Sequence, residues 1–210
     1  MSHALPSAEL VRPTMPPVPA PKAQLMTARD LGRTLDRMAQ QILEWIDPES
    51  EEDPGLALVG MQTRGVHLAR RLQRRIEKQE GIDLPLGVLD VTMYRDDVRL
   101  RFEQRRIQET RIPFDVTNRH LVLVDDVVFT GRTGRAALDA LMDLGRPASI
   151  RLLVVIDRGH RELPIAPDIV GRTVPTLPDE SVRVAVEEVD DADGVWLVEA
   201  DDASPDDTER

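Results

Sequence analysis

Two adjacent carboxylates followed by a threonine–glycine turn are the residues of this chain best suited to chemistry. The apolar run Leu121–Val124 leads into Asp125 and Asp126, then into Val127-Val128-Phe129-Thr130-Gly131-Arg132-Thr133-Gly134. Glycine lets backbone approach a ligand closely, and the first N–H groups of a helix have no partner inside it. A turn of this kind binds phosphate through backbone N–H groups and, here, the hydroxyls of Thr130 and Thr133. The two acids ahead of it suit sugar hydroxyls, because ionised carboxylates are strong acceptors. Phosphate on the turn and sugar over the carboxylates together describe a 5-phosphorylated ribose. Asp-Asp alone is often a solvated turn and Thr-Gly alone is common in loops; the reading rests on strand, acids, loop and helix as one unit. A nucleotide P-loop is disfavoured, since its Gly-Lys-Ser/Thr ending is absent.

Two other apolar runs end in the same manner. Leu56–Gly60 runs into Met61-Gln62-Thr63-Arg64-Gly65, and Ile150–Ile156 into Asp157-Arg158-Gly159-His160-Arg161. The elements that must position these ends alternate in type. Thr27 followed by Asp30 resembles a capping box, and Leu31, Leu35, Met38, Ile42 and Ile46 recur at helical spacing before Pro48. Strands are expected at Leu56–Gly60, Leu86–Thr92, His120–Val124 and Ile150–Ile156, with helices at about Val66–Lys78 and Thr133–Leu144. Shorter strands are expected near Ile169–Val174, Val182–Val186 and Val195–Val198. Strands separated by helices predict an α/β fold with a mostly parallel sheet, and in such sheets ligands bind beyond the carboxyl ends of the strands.

Length and composition fit one domain between two tails. The chain has 210 residues, 41% of them hydrophobic and only 3% aromatic, so aliphatic side chains must fill the core. Cysteine is absent, which excludes disulfides, thiolate nucleophiles and cysteine-bound metals. No apolar run reaches the roughly 18 residues of a membrane helix, and the proline-bearing N-terminal stretch does not read as a signal peptide, so a cytoplasmic protein is expected. The net charge of −11 is local: from Asp179 to Arg210 there are thirteen acids and two arginines, and the remainder balances. Residues 1–25, with six prolines between Pro6 and Pro21, are expected to form a disordered extension. The domain is expected over 26–200, with a disordered acidic tail over 201–210.

The segment Leu121–Thr133 resembles the phosphoribosyl-pyrophosphate motif of type I phosphoribosyltransferases. Within that group Thr63-Arg64-Gly65, Tyr94-Arg95-Asp96-Asp97 and Asp157–Pro164 are similar to the PyrR family, and the likeness covers approximately Thr27 to Ala200. The resemblance implies a central parallel sheet flanked by helices, with a small hood and a flexible arm. It implies uracil phosphoribosyltransferase activity, in which uracil displaces pyrophosphate from 5-phosphoribosyl-1-pyrophosphate (PRPP) to give UMP. Thr130, Gly131, Arg132 and Thr133, with Gly134, would hold the 5-phosphate, and Asp125 and Asp126 the ribose hydroxyls. Thr63, Arg64 and Gly65 would cradle pyrophosphate, Arg64 through its charge or its backbone N–H. Mg²⁺ would bridge pyrophosphate and ribose oxygens, with no direct protein ligand implied. Arg158 has two readings, a border of the uracil pocket or a partner of Asp157. His160 reads as structural or RNA-facing rather than as an acid or base.

The resemblance further implies UMP-dependent binding to the leader mRNA of the pyrimidine operon, on a basic face between subunits of a homodimer or larger oligomer. Arg37, Arg161 and Arg172 match basic positions of that face, while Asp36, Gln40, Trp45 and Ala166 depart from it. Trp45 is a platform for a base or a packed side chain. The stretch Tyr94–Phe114, with six arginines, reads as an arm closing over the site or as an exposed charged hairpin. Arg70, Arg71, Arg74 and Arg75 read as a solvated helix face.

Overall fold

A computed structural model describes residues 21–46, 55–95 and 109–199. The two tails, the Pro48 helix stop and residues 96–108 of the arm lie outside the described residues.

The expected alternation is present. Strands β2 (Leu56–Met61), β3 (Leu86–Leu89), β4 (His120–Val128), β5 (Ser149–Asp157) and β6 (Ile169–Thr173) form one parallel sheet in the order β3-β2-β4-β5-β6. Helix α1 (Ala28–Leu43) and helix α2 (Arg64–Glu80) cover one face, and α3 (Arg132–Leu144) covers the other. The capping box at α1 forms: the Asp30 N–H donates to Thr27 Oγ1 at 3.2 Å, and the Thr27 N–H donates to Asp30 Oδ2 at 3.1 Å. Gly81, left-handed at φ 71°, ends α2.

Helical spacing in α1 and α2 puts Leu35, Met38, Ile42, Leu68, Leu72 and Ile76 on the sheet, all fully buried against residues such as Leu58, Val122 and Val124. Each such side chain contributes roughly 1.5–3 kcal/mol. The other face is thinner. α3 presents Ala136, Ala137 and Ala140 to Leu121, Leu123 and Val154, so small side chains bring this helix close to β4.

A second, three-stranded antiparallel sheet makes the hood. It comprises β1 (Ala23–Met26), β8 (Gly194–Glu199) and β7 (Glu180–Ala185) in that order, with the short helix α4 (Glu187–Asp190) between β7 and β8. The strand expected at Val182–Val186 and that at Val195–Val198 thus leave the parallel sheet. β1 starts at Ala23, inside the segment expected to be disordered, because Met26 joins the core and Ala23 pairs with Leu197. Leu86–Thr92 is shorter than expected as a strand; it ends at Leu89 and Thr92–Tyr94 forms a 3₁₀ turn.

Candidate active site

The sheet order places a topological switch between β2 and β4. The chain leaves β2 through α2 toward β3 on one side, and leaves β4 through α3 toward β5 on the other. The crevice at the carboxyl ends of β2 and β4 is where such sheets bind ligands. Asp125, Asp126, Thr63 and the Thr130–Thr133 turn all come to this crevice.

β4 runs further than expected, and both aspartates lie within it. Asp125 pairs with Val154 of β5, and pairing continues to Val128 opposite Asp157. Asp125 and Asp126 are 4% and 1% exposed. Asp125 Oδ1 accepts the Asp126 N–H at 2.9 Å, and Asp126 Oδ1 accepts the Val127 N–H at 2.9 Å. These bonds orient both side chains. Asp125 lines a small cleft with Phe129, Gly131 and Thr133.

Gly131 is the N-cap of α3 at φ 90°, a conformation that favours glycine, and it offers no side-chain cap, while the Thr130 hydroxyl accepts the Arg132 N–H at 3.3 Å. The Thr133 hydroxyl is buried with no hydrogen-bond partner. A glycine at the helix start beside an unsatisfied buried hydroxyl is an arrangement that could hold an anion. The loop after β5 closes over it: the N–H groups of Glu162 and Leu163 donate to the Thr130 carbonyl at 2.9 and 3.1 Å. Arg132 pairs with Glu162 at 2.8 Å, so its side chain fastens this loop while its backbone begins α3.

On the other side of the crevice the Gln62–Thr63 peptide is cis and α2 begins at Arg64. Two glycines bring this helix start against the sheet. A β-carbon on Gly60 would stand 2.5 Å from the Val66 α-carbon, and one on Gly65 would stand 2.4 Å from the Val124 carbonyl oxygen. Of the two means expected for Arg64, its charge is directed elsewhere: Nε and one terminal nitrogen donate to the two oxygens of Asp190 at 3.0 and 2.9 Å.

Arg158 does not pair with Asp157. Its guanidinium is buried over the Phe129 ring, 4.0 Å from the centroid, and donates to Ser181 Oγ at 3.0 Å, to Thr176 Oγ1 and to the Glu180 carbonyl. It ties the end of β5 to the hood. Burial lowers its pKa from the ordinary arginine value. Arg161 takes Asp157 instead, at 2.7 Å, and also donates to the carbonyls of Ile165 and Phe129 at 2.9 Å each. Arg161, expected at an RNA face, therefore holds the loop together. His160 Nε2 donates to the Thr176 carbonyl at 2.7 Å and its ring meets Phe129 edge-on, a structural position.

Arg37 and Arg172 lie together where α1 crosses β6, both exposed. Arg37 donates to the Val170 and Gly171 carbonyls and Arg172 to that of Leu25. Asp36 pairs with Arg75 at 2.8 Å and Gln40 with Gln79 at 2.6 Å. Arg151 stacks over Trp45 at 4.1 Å, so that tryptophan is packed. The arginine face of α2 is only partly solvated. Arg70 and Arg74 are exposed, but Arg71 binds Glu188 and Asp193 at 2.6 and 2.8 Å.

Among the described residues no three His, Asp or Glu side chains gather into a metal cage. The donor set at the end of β4 is a pair of carboxylates, oxygen ligands that fit a magnesium ion held mainly through substrate oxygens. No helix among the described residues is long and apolar enough to cross a membrane. Sequence reading missed Phe129, Thr176, Ser181, Arg183 and Asp190. Only Phe129, inside the turn itself, carried a local signal.

The parallel sheet with a carboxylate pair at its switch point belongs to a phosphoribosyltransferase domain, since the phosphoribosyl transferase domain model matches residues 23–192. The fold is that of solved hypoxanthine phosphoribosyltransferases: one from Staphylococcus aureus aligns at TM-score 0.61 with 18% identity over 89% of this chain and 94% of that chain. Another, from Trypanosoma cruzi, aligns at 0.62 with 16% identity over 85% and 97%. The curated Bifunctional protein PyrR of Thermus aquaticus is 54% identical over 182 residues, which cover 87% of this chain and 98% of that protein. That of Deinococcus deserti is 49% identical over 183 residues, with 87% and 98% covered. The chain belongs to the PyrR family of phosphoribosyltransferases.

Proposed function

We propose that this chain makes UMP and pyrophosphate from uracil and PRPP, and that its UMP-bound form binds the leader mRNA of the pyrimidine operon to promote transcription attenuation in the cytoplasm. The observation that carries the first part is the Asp125–Asp126 pair set beside the Gly131–Thr133 anion seat. Membership of the PyrR family supports the second.

In the reaction, N1 of uracil bonds to C1 of the ribose as the C1–oxygen bond to pyrophosphate breaks, and the N1 proton is released to solvent. Positive charge develops on the sugar, and stabilising it is the main catalytic task. Asp125 and Asp126 hold the ribose hydroxyls and supply the negative field. Thr130, Gly131 and Thr133 hold the 5-phosphate, with the backbone of Arg132. The backbone of Thr63–Gly65 receives pyrophosphate. Asp125 and Asp126 would face a magnesium ion held mainly through substrate oxygens, and the chemistry it would supply there is neutralisation of charge on the leaving group. Phe129 and Arg158 border the uracil side.

For RNA, Arg37 and Arg172 offer exposed charge on the α1–β6 surface, and a face between subunits requires at least a homodimer. Uracil and PRPP added to the pure protein are expected to yield UMP, with hypoxanthine and orotate failing to compete. A gel shift with the organism's own leader is expected only with UMP present. Turnover of another base in preference to uracil overturns the first part, and UMP-independent or absent retardation the second.

A further inference from the structure

The pyrophosphate side of the crevice and the hood are joined by a buried ion pair. The Asp190 side chain, 3% exposed, is itself fixed in the hood: it accepts the Val186 N–H at 3.0 Å and a bond from Arg183 at 3.2 Å. From there it takes the forked guanidinium of Arg64 through two parallel bonds. Bidentate pairs of this geometry fix direction as well as distance. Two turns further along the same face of α2, Arg71 repeats the arrangement with Glu188 and Asp193, which are more exposed. Arg64 is at once the first residue of α2 and the middle of the Thr63–Gly65 loop.

We propose that Asp190 is a positioning residue for the pyrophosphate loop: by holding the Arg64 guanidinium in the hood, it sets the loop backbone that faces pyrophosphate, and Arg64 serves binding through that backbone rather than through its charge. This rests on the assignment of Thr63–Gly65 to pyrophosphate. A rival geometry is a latch, in which Asp190 merely withholds the Arg64 charge from the ligand.

The two predict opposite signs. Asp190→Asn is expected to weaken pyrophosphate, and to raise KM for PRPP, by about tenfold, within the roughly hundredfold that a 1 Å misplacement can cost. UMP affinity, read like that of pyrophosphate by isothermal titration calorimetry, is expected to stay within about twofold and shows that the variant folds. Arg64→Lys, which keeps the charge but loses the fork, is expected to weaken pyrophosphate similarly. Arg71→Gln loosens the outer contact alone and is expected to leave pyrophosphate affinity unchanged. Unchanged or tighter pyrophosphate binding in Asp190→Asn overturns the proposal, as does full retention in Arg64→Lys. An equal loss in Arg71→Gln overturns it too, by showing a general effect of hood stability. Absence of pyrophosphate binding in the unaltered protein would instead remove the underlying site assignment.

Discussion

Gly65 lies so close to Val124 that its missing side chain is part of the site: a β-carbon there would stand 2.4 Å from the Val124 carbonyl oxygen and 3.3 Å from the Asp125 α-carbon. The Thr63–Gly65 loop, proposed to receive pyrophosphate, therefore leans directly on the strand that carries the aspartates. Gly65→Ala is expected to destabilise the protein by about 1–3 kcal/mol and to raise KM for PRPP, because helix or strand must shift. Gly32→Ala supplies the contrast, since nothing lies within 4 Å of its added carbon and α1 is helical there. It is expected to gain about 0.5–1 kcal/mol. Urea denaturation of the two variants checks the opposite signs.

Asp125→Asn with Asp126→Asn is expected to abolish turnover while leaving the melting temperature within a few degrees. An amide keeps the oxygen that accepts the next N–H in each case, so the local geometry survives while the negative field is lost. Near-normal UMP formation by this double variant would refute the assigned site.

Thr133→Val tests the proposed phosphate seat. The hydroxyl is buried and has no protein partner, so the isosteric methyl costs no internal hydrogen bond and stability is expected to hold or rise. Binding of UMP is expected to fall about tenfold or more, since a hydrogen bond to a charged group is worth about 1.5–3 kcal/mol. Calorimetric titration with UMP and with uridine separates the cases; a loss for uridine as large as for UMP counts against a phosphate contact.

The hood carboxylates set an acid limit. Hydrogen bonds from Arg71 lower the Glu188 pKa. Burial alone would raise those of Asp190 and Asp193, but bonds from Arg64 and Arg71 outweigh it, and both lie below the ordinary carboxylate value. Groups depressed on folding stabilise fully above their unfolded pKa and lose that effect as pH falls through the folded one. The hood is thus expected to weaken below about pH 4. Melting curves from pH 7 to pH 3 should show the gap between the unaltered protein and Arg71→Gln closing in that range. A constant gap contradicts the role given to these pairs.

The crevice was legible where its signals are local. Leu121–Thr133 carries strand, acids, turn and helix start within thirteen residues, and Thr27 with Asp30 caps α1 across three. What joins Arg64 to Asp190 spans 126 residues, and no spacing rule connects them. The acidity between Asp179 and Glu199 therefore read as a property of the chain's end, although Glu188, Asp190 and Asp193 are counter-charges to α2. The exchange of Arg158 for Arg161 has a backbone cause. Gly159 and His160 adopt φ of 78° and 59°, turning the chain so that Arg161 comes back onto Asp157 while Arg158 enters the hood. Two consecutive left-handed residues are a choice that tertiary packing makes.

The pairing of Ala23 with Leu197 has a consequence for synthesis on the ribosome. β1 is translated before every other strand described, and its one strand neighbour, β8, is translated last. The parallel sheet has all its strands once Thr173 has emerged, so the aspartates gain their setting early. Until Glu199 follows, β1 keeps an unpaired edge, the kind of exposed template that draws nascent chains into aggregates. A product stalled between those two points carries Asp125, Asp126 and the Thr130–Thr133 turn without the complete hood sheet beside Asp190, the partner of Arg64.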